Sequence, residues 1–438
     1  MSSRQLVLLP LIAVTIIAGS YFVAHARSRT TTDAVDRLLF ELADQPSPAN
    51  AVATWSGRAA ANPNGFIELT NLGNAHMRVA RATGDISAYQ RAEEAYRRAL
   101  AMRPDYYPAG TGLAATLLAL HEFDAALHLA ETFTLDGRNP AALALVGDVY
   151  LALGDYSSAE AIYAQVAESG GEEMVLTRRA QLAWLHGDPQ EALSLLRQAT
   201  ASADAAGDYR ENLVWLRCQL GDLEFRTGDL DAAEHAFRQA LKLAPTDHIA
   251  LAGLARVAAA RGELADARAL YEQSVAIVPL PDTLAQLGDV ASAQGDTAAA
   301  QQYYDTVLFI GSLDGESEQV YNRQLALFLA NHGIDPDRAV DLTEREHQLR
   351  ADVYGDDALA WALYAAGDAE RAMSYIESAL RLGTRDALLH YHAGMIALAV
   401  GRFSDASAHL TTALDINPHF DLVQARIARE TLAELESR

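Results

Sequence analysis

One alanine constrains this chain more than any other residue. It recurs as Ala92, Ala126, Ala159, Ala192, Ala233, Ala267, Ala300, Ala339, Ala372 and Ala406, at intervals of 34, 33, 33, 41, 34, 33, 39, 33 and 34 residues. The stretches "GDLDAAEHAFRQALKLAP" (Gly228 to Pro245) and "GRFSDASAHLTTALDINP" (Gly401 to Pro418) show the surrounding pattern. Both have glycine, a large residue two on, alanine at the fifth step, an apolar residue at the ninth, alanine at the twelfth and proline at the seventeenth. Ten such units specify stacked helix-turn-helix pairs, because a single pair cannot bury its apolar face without neighbours.

Each marked position has a physical reason. In "LGDVASAQGDTAAAQQYY" (Leu287 to Tyr304), Gly288 and Ala300 are small so that the two helices of one unit can approach closely. Gly154, Gly187, Gly228, Gly262, Gly295, Gly367 and Gly401 stand where the first helix stops and the chain reverses through a left-handed residue. His121 takes that place in one unit, at a cost of a fraction of a kcal/mol to about 1 kcal/mol. Tyr96, Tyr163, Phe237, Tyr271, Tyr304 and Ile376 fill the grooves between units, and Pro104, Pro245, Pro279 and Pro418 end second helices.

The repeat is interrupted in three places. About seven extra residues around "TGDISAY" lengthen the first helix or turn of the first unit, and the long intervals place insertions near 199–212 and 310–319. Both insertions are polar and read as loops or extended helix ends on one rim. The chain therefore divides into a segment at 1–29, an N-terminal helical cap at 30–65, the array at 66–418 and a C-terminal capping helix at 419–438. The reading is an all-α, right-handed superhelical solenoid of about ten units, preceded by a hydrophobic helix.

The motifs "LPDTLAQLGDVASAQGD" (Leu280 to Asp296), "DALAWALYAAGDAERA" (Asp357 to Ala372) and "LGTRDALLHYHAGMIALAVGRF" (Leu382 to Phe403) carry a resemblance to bacterial tetratricopeptide-repeat proteins. It covers the chain after the hydrophobic segment. It implies an architecture, with no catalytic residue to transfer.

From Leu6 to Ala24 nineteen residues run without a charge, between Arg4 and the pair Arg27 and Arg29. That is the length of a bilayer-crossing helix, and "AHA" (Ala24 to Ala26) has the form of a cleavage site. The segment reads as an anchor or as a cleaved signal. With the short basic N-terminus inside, either use puts the array outside the cytoplasm, anchored to the cell membrane or exported, whereas an inverted anchor leaves it in the cytoplasm. The flanking charges support the outward orientation weakly.

The net charge of −24 repels phosphate backbones, so nucleic acid is not an expected partner, and a basic or neutral protein or peptide is. The single cysteine, Cys218, excludes an internal disulfide or a cysteine-based zinc site. "HEFDA" (His121 to Ala125) opens like a zinc-protease helix, but Ala125 stands where the second histidine must be. "GTGLAA" (Gly110 to Ala115) lacks the preceding strand of a dinucleotide site. His390 and His392 are two apart on one helix and point about 200° from each other, so they cannot share a metal ion. No catalytic, cofactor or metal site is expected.

Recognition remains. The residue after the small position of each first helix points into the concave face: Asp148, Asp222 and Asp289 in three units, and Asn74, Gln181, Arg256, Trp361 and Met395 in others. The three aspartates read as an acidic stripe for a cationic segment, or as solvated helix positions. Trp184 and Trp361 are candidate aromatic anchors beside Phe225 and Tyr364, for which inter-helix packing is the favoured reading. The expected function is a non-enzymatic scaffold or assembly factor with its partner in the concave groove. The alternative is an accessory to envelope metal handling or transport.

Overall fold

The computed structural model describes residues 46–134, 139–312 and 317–437, and among these every regular element is helical. The hydrophobic stretch, the first part of the expected cap and the middle of the second insertion lie outside the described residues. No described helix is long and apolar enough to cross a membrane.

Ten helix pairs follow one another. Unit 1 pairs Phe66–Thr83 with Ile86–Met102, unit 3 pairs Pro140–Leu153 with Tyr156–Val166, and unit 4 pairs Glu172–Leu185 with Pro189–Ala206. Unit 2 pairs Tyr107–Ala119 with Phe123–Thr132, unit 5 pairs Arg210–Arg226 with Leu230–Leu243, unit 6 pairs His248–Ala260 with Leu264–Ile277, and unit 7 pairs Pro281–Ala293 with Thr297–Ile310. Unit 8 pairs Ser317–His332 with Pro336–Leu349, unit 9 Val353–Ala365 with Ala369–Ala379, and unit 10 Ala387–Ala399 with Phe403–Ile416. Pro48–Ala61 precedes the array and Gln424–Glu436 follows it.

The recurring alanine is buried in all ten units. Opposite it, the small residue of the first helix makes room for a ring. A side chain at Gly288 would lie 2.3 Å from Tyr304, and Phe237 is wedged between Gly221 of its own unit and Gly253 of the next. The ring thus fills space on both sides of a unit boundary, which is how the groove between units is closed.

The reversal between helices is built from a glycine-aspartate pair. Gly154, Gly187, Gly228, Gly295 and Gly367 have φ between 77° and 87°, and His121 adopts the same left-handed region at 64°. The following aspartate caps the second helix: Asp155 accepts from the Ser158 amide at 3.1 Å, Asp188 from Glu191 at 3.0 Å and Asp229 from Ala232 at 3.0 Å. Each such cap contributes about 1 kcal/mol. Part of the acidic surplus therefore sits at helix starts rather than in a groove. The extra residues of unit 1 and of the first insertion mainly extend helices, since the first helix of unit 1 and the second of unit 4 each run 18 residues.

The solenoid then meets itself. The turn of unit 3 touches the connection between units 8 and 9, where the Val353 amide donates to the Tyr156 hydroxyl at 2.8 Å across 197 residues. The turn of unit 4 meets the connection between units 9 and 10, where Thr384 Oγ1 donates to the Leu185 carbonyl at 2.5 Å across 199 residues. The turn of unit 5 meets the end of unit 10, where Asn417 Nδ2 donates to the Phe225 carbonyl at 2.8 Å across 192 residues. These spans are close to six periods of 33, so one superhelical turn closes after about six units and the next turn packs on it. A shared apolar core joins the two turns, with Leu151, Tyr156, Leu182 and Leu185 packed among Val353, Leu359, Leu363 and Leu389.

Candidate functional site

The three inner-face aspartates do not form one solvent-facing stripe. Asp148 is fully buried, which corrects the reading that places it on the concave surface. Its carboxylate accepts from Arg178 Nε at 2.6 Å, Arg178 Nη2 at 2.7 Å and the Tyr163 hydroxyl at 2.9 Å. Asp222 is partly exposed and accepts from Arg256 Nη2 at 2.6 Å. Burial raises a carboxyl's pKa, but Arg256 and Arg226 overcome this at Asp222 and hold it below the ordinary aspartate value. Asp289 accepts from the Tyr304 hydroxyl at 2.7 Å and pairs with His332 Nε2 at 2.9 Å. In each case the cationic partner comes from the first helix of the next unit. The aspartates join units to one another, which their position after the small residue makes possible.

The tryptophans separate as well. Trp361 is buried, with its ring stacked on His392 at 4.0 Å between centroids and its Nε1 donating to Asn331 Oδ1 at 2.7 Å. It is a packing residue, a correction to its reading as an anchor. Trp184 is also mostly buried, but it lines a cavity of about 400 Å³, partly open to solvent, between the two superhelical turns. Its Nε1 donates to the Tyr354 hydroxyl at 2.7 Å, and the Arg226 guanidinium lies 4.6 Å from its ring centre. Arg226 also donates to Tyr354 at 2.6 Å and pairs with Asp386. Four residues from units 4, 5, 9 and 10 are thereby locked across the turn-to-turn contact.

The rest of the cavity wall carries unspent polarity. Thr177, Gln181, Gln219 and Asp282 line it and make no side-chain hydrogen bond within the described residues. Asp282 has no cation beside it, and burial alone pushes its carboxyl up to about 6. At the far wall Arg323 reaches Asp352 at 2.6 Å and Glu346 at 2.7 Å, and Arg350 joins the same carboxylates. Burial opposes ionisation of Asp352, yet Arg323 and Arg350 hold it down at about 2. Trp215 adds a second indole to the lining. Sequence reasoning missed Trp215, Arg226, Asp282 and Tyr354, since nothing in the repeat pattern marks residues that meet only because one turn lies on another.

No catalytic constellation forms on this wall. The Cys218 thiol is buried and pushed up by burial and by Asp247, the opposite of an activated nucleophile. His392 is buried with Nδ1 2.8 Å from Asp357 Oδ1, while His390 turns away to meet His409. The two histidines of the last unit's first helix thus face different neighbours, as residues two apart on a helix must.

Family models described as tetratricopeptide repeat match residues 87–146, 140–169, 172–246, 218–280 and 358–430, together more than half of the chain. No curated protein matches it in sequence. Among solved structures, a human IFIT1 dimer with PPP-AAAA is similar at 17% identity and TM-score 0.48, over 73% of each chain. Yeast Tom70 is similar at 12% identity and TM-score 0.35, over 92% of this chain and 95% of its own. A tetratricopeptide repeat protein from Parabacteroides merdae is similar at 19% and 0.34, over 61% of this chain and 99% of its own. Likenesses at these values carry no partner from those proteins to this one. The periodicity, the buried alanines and the family matches agree: the chain belongs to the tetratricopeptide repeat family.

Proposed function

We propose that this chain is a non-catalytic scaffold or assembly factor that receives a segment of a partner protein in the cavity between its two turns. Tetratricopeptide-repeat proteins are protein-interaction scaffolds. The observation that carries the reading here is the cavity wall itself, where Thr177, Gln181, Gln219 and Asp282 point unpaired groups into about 400 Å³ beside Trp184, Trp215 and Tyr354. Indoles supply rigid contact area and the amides supply hydrogen bonds to a backbone. The uncompensated carboxylate of Asp282 favours a basic or neutral segment over an acidic one. The first 29 residues hold the array at a membrane or export it, outside the cytoplasm.

Crosslinking in cells, followed by mass spectrometry, tests the reading with the intact protein and a Trp215→Ala/Asp282→Asn variant. Loss of the captured proteins in the variant supports the cavity as the site, and their unchanged capture overturns it. Fractionation of cells expressing the full chain tests the membrane role, which fails if the protein stays in the cytoplasmic fraction.

A further inference from the structure

The insertion near 199–212 starts the first helix of unit 5 early. That helix runs 17 residues, where the first helices of units 2, 3, 4, 6 and 7 run 13 or 14. The early start puts Tyr209 at the N-cap and Glu211 in the first turn, and Asp208 fixes the entry by accepting from the Tyr209 amide at 2.7 Å. Glu211 thereby reaches Arg78, 133 residues away on the first helix of unit 1, and accepts from its Nε and, at 3.4 Å, from its Nη2. The guanidinium lies 4.1 Å from the Tyr209 ring centre, and Nη2 also donates to the Pro46 carbonyl at 3.1 Å. Water is largely kept from the ion pair, with 13% of the Arg78 side chain and 9% of that of Glu211 exposed.

This contact closes a ring. The first helices of units 1 to 5 surround a groove of about 260 Å³ whose wall includes Trp55, Asn71, Asn74, Ala115, Met174 and Asn212, and Arg78, Tyr209 and Glu211 stand at its closing edge. Among the described residues no apolar core spans units 1 and 5, whereas a shared core joins the two superhelical turns. Each of the five units is held by its neighbours, so parting units 1 and 5 leaves the helix packing intact. Separation also returns water to both charges, which offsets part of the lost attraction and keeps the open and closed states close in free energy. We propose that Arg78, Glu211 and Tyr209 form a clasp that opens and closes the inner groove of units 1 to 5. A small solute passes the closed ring, and a bulky group enters from the side only when the clasp is released. The clasp acts on a different groove from the cavity between the turns and does not depend on what that cavity holds.

Thiol labelling of the full chain tests this. Ala115→Cys places a reporter in the groove wall, and the parent chain, whose one cysteine is buried, gives the background. Two probes are compared, iodoacetamide and a polyethylene-glycol maleimide of several kilodaltons. Adding Arg78→Ala, or the milder Glu211→Gln, should speed the bulky reagent by about tenfold or more, the weight of a charge-assisted hydrogen bond, and leave the iodoacetamide rate unchanged. Arg97→Ala, which breaks an exposed ion pair with Glu93 in the same unit, should change neither rate. Circular dichroism and the melting temperature establish that each variant is folded. An unchanged bulky-reagent rate in folded Glu211→Gln overturns the proposal, and so does equal acceleration of both reagents, which reports local unfolding instead of a gate.

Discussion

Units 3 to 5 and units 6 to 7 are written in the same repeat code but occupy different surroundings. At Gly154, Gly187 and Gly228 a side chain would meet the backbone of the second turn, at 2.6 Å from the Ala351 carbonyl, 2.3 Å from that of Gly383 and 3.1 Å from that of Ile416. At Gly262 and Gly295 the same left-handed turn faces open space. The charged pairs differ in parallel. Asp148 of unit 3 is buried against a guanidinium, which stays charged at any ordinary pH, whereas Asp289 of unit 7 is held by His332, which does not. One motif thus serves local reversal at all seven turn glycines and long-range docking at only three of them, Gly154, Gly187 and Gly228.

The comparison breaks most visibly at Asp148. Replacing it by Asn should cost about 3 to 5 kcal/mol, because Arg178 would keep its charge in a dry site. The matching Asp222→Asn, partly exposed, should cost about 1 kcal/mol or less. Urea unfolding of the two variants decides this, and equal losses would mean the burial of Asp148 is not energetically distinct.

Turn glycines sharpen it next. Gly187→Ala should cost about 2 to 4 kcal/mol from the left-handed penalty plus the collision with Gly383. Gly295→Ala should cost about 1 kcal/mol, from conformation alone. Hydrogen exchange should show faster opening at Thr384 and Val353 only in the first variant. Uniform exchange in both would show that the turn-to-turn contact contributes nothing.

Asp282 gives a pH-dependent contrast. Its folded pKa lies above the unfolded value, so stability is lost as pH rises from about 4 to 6 and stays lost above. Asp282→Asn should therefore stabilise the protein by about 1 to 3 kcal/mol at pH 8 and by less at pH 5. Thermal melts at the two pH values check the sign.

The smallest effect is at His332. Burial works against its charge, yet Asp289 and the Phe328 carbonyl, each 2.9 Å from a ring nitrogen and both acceptors, raise its pKa. Its stabilisation is complete below about pH 6.5 and lost as pH rises through the folded value. His332→Gln should cost about 1 kcal/mol at pH 6 and less at pH 8 in thermal melts.

Much of the architecture was legible because it depends on contacts within one unit or between neighbours. The alanines, the rings opposite small residues and the glycine-aspartate reversals sit at fixed offsets, so a period near 34 reports them directly. The site was less legible. Asp148 and Trp361 share the inner-face register with Asp222, and the register does not say whether a side chain will be covered. Arg178 and His392 cover them, and each comes from the neighbouring unit.

By itself, then, the amino-acid sequence determined the helix pair, its caps and its stacking, since those are set by local propensity and by packing between adjacent units. The closure of one turn on another was decided by tertiary structure alone. Small rotations between units accumulate over about six repeats and bring Tyr156 to Val353 and Leu185 to Thr384, at separations no local motif encodes. The cavity exists only through that sum, and its unpaired carboxylate stands at Asp282, a residue the repeat pattern leaves unmarked.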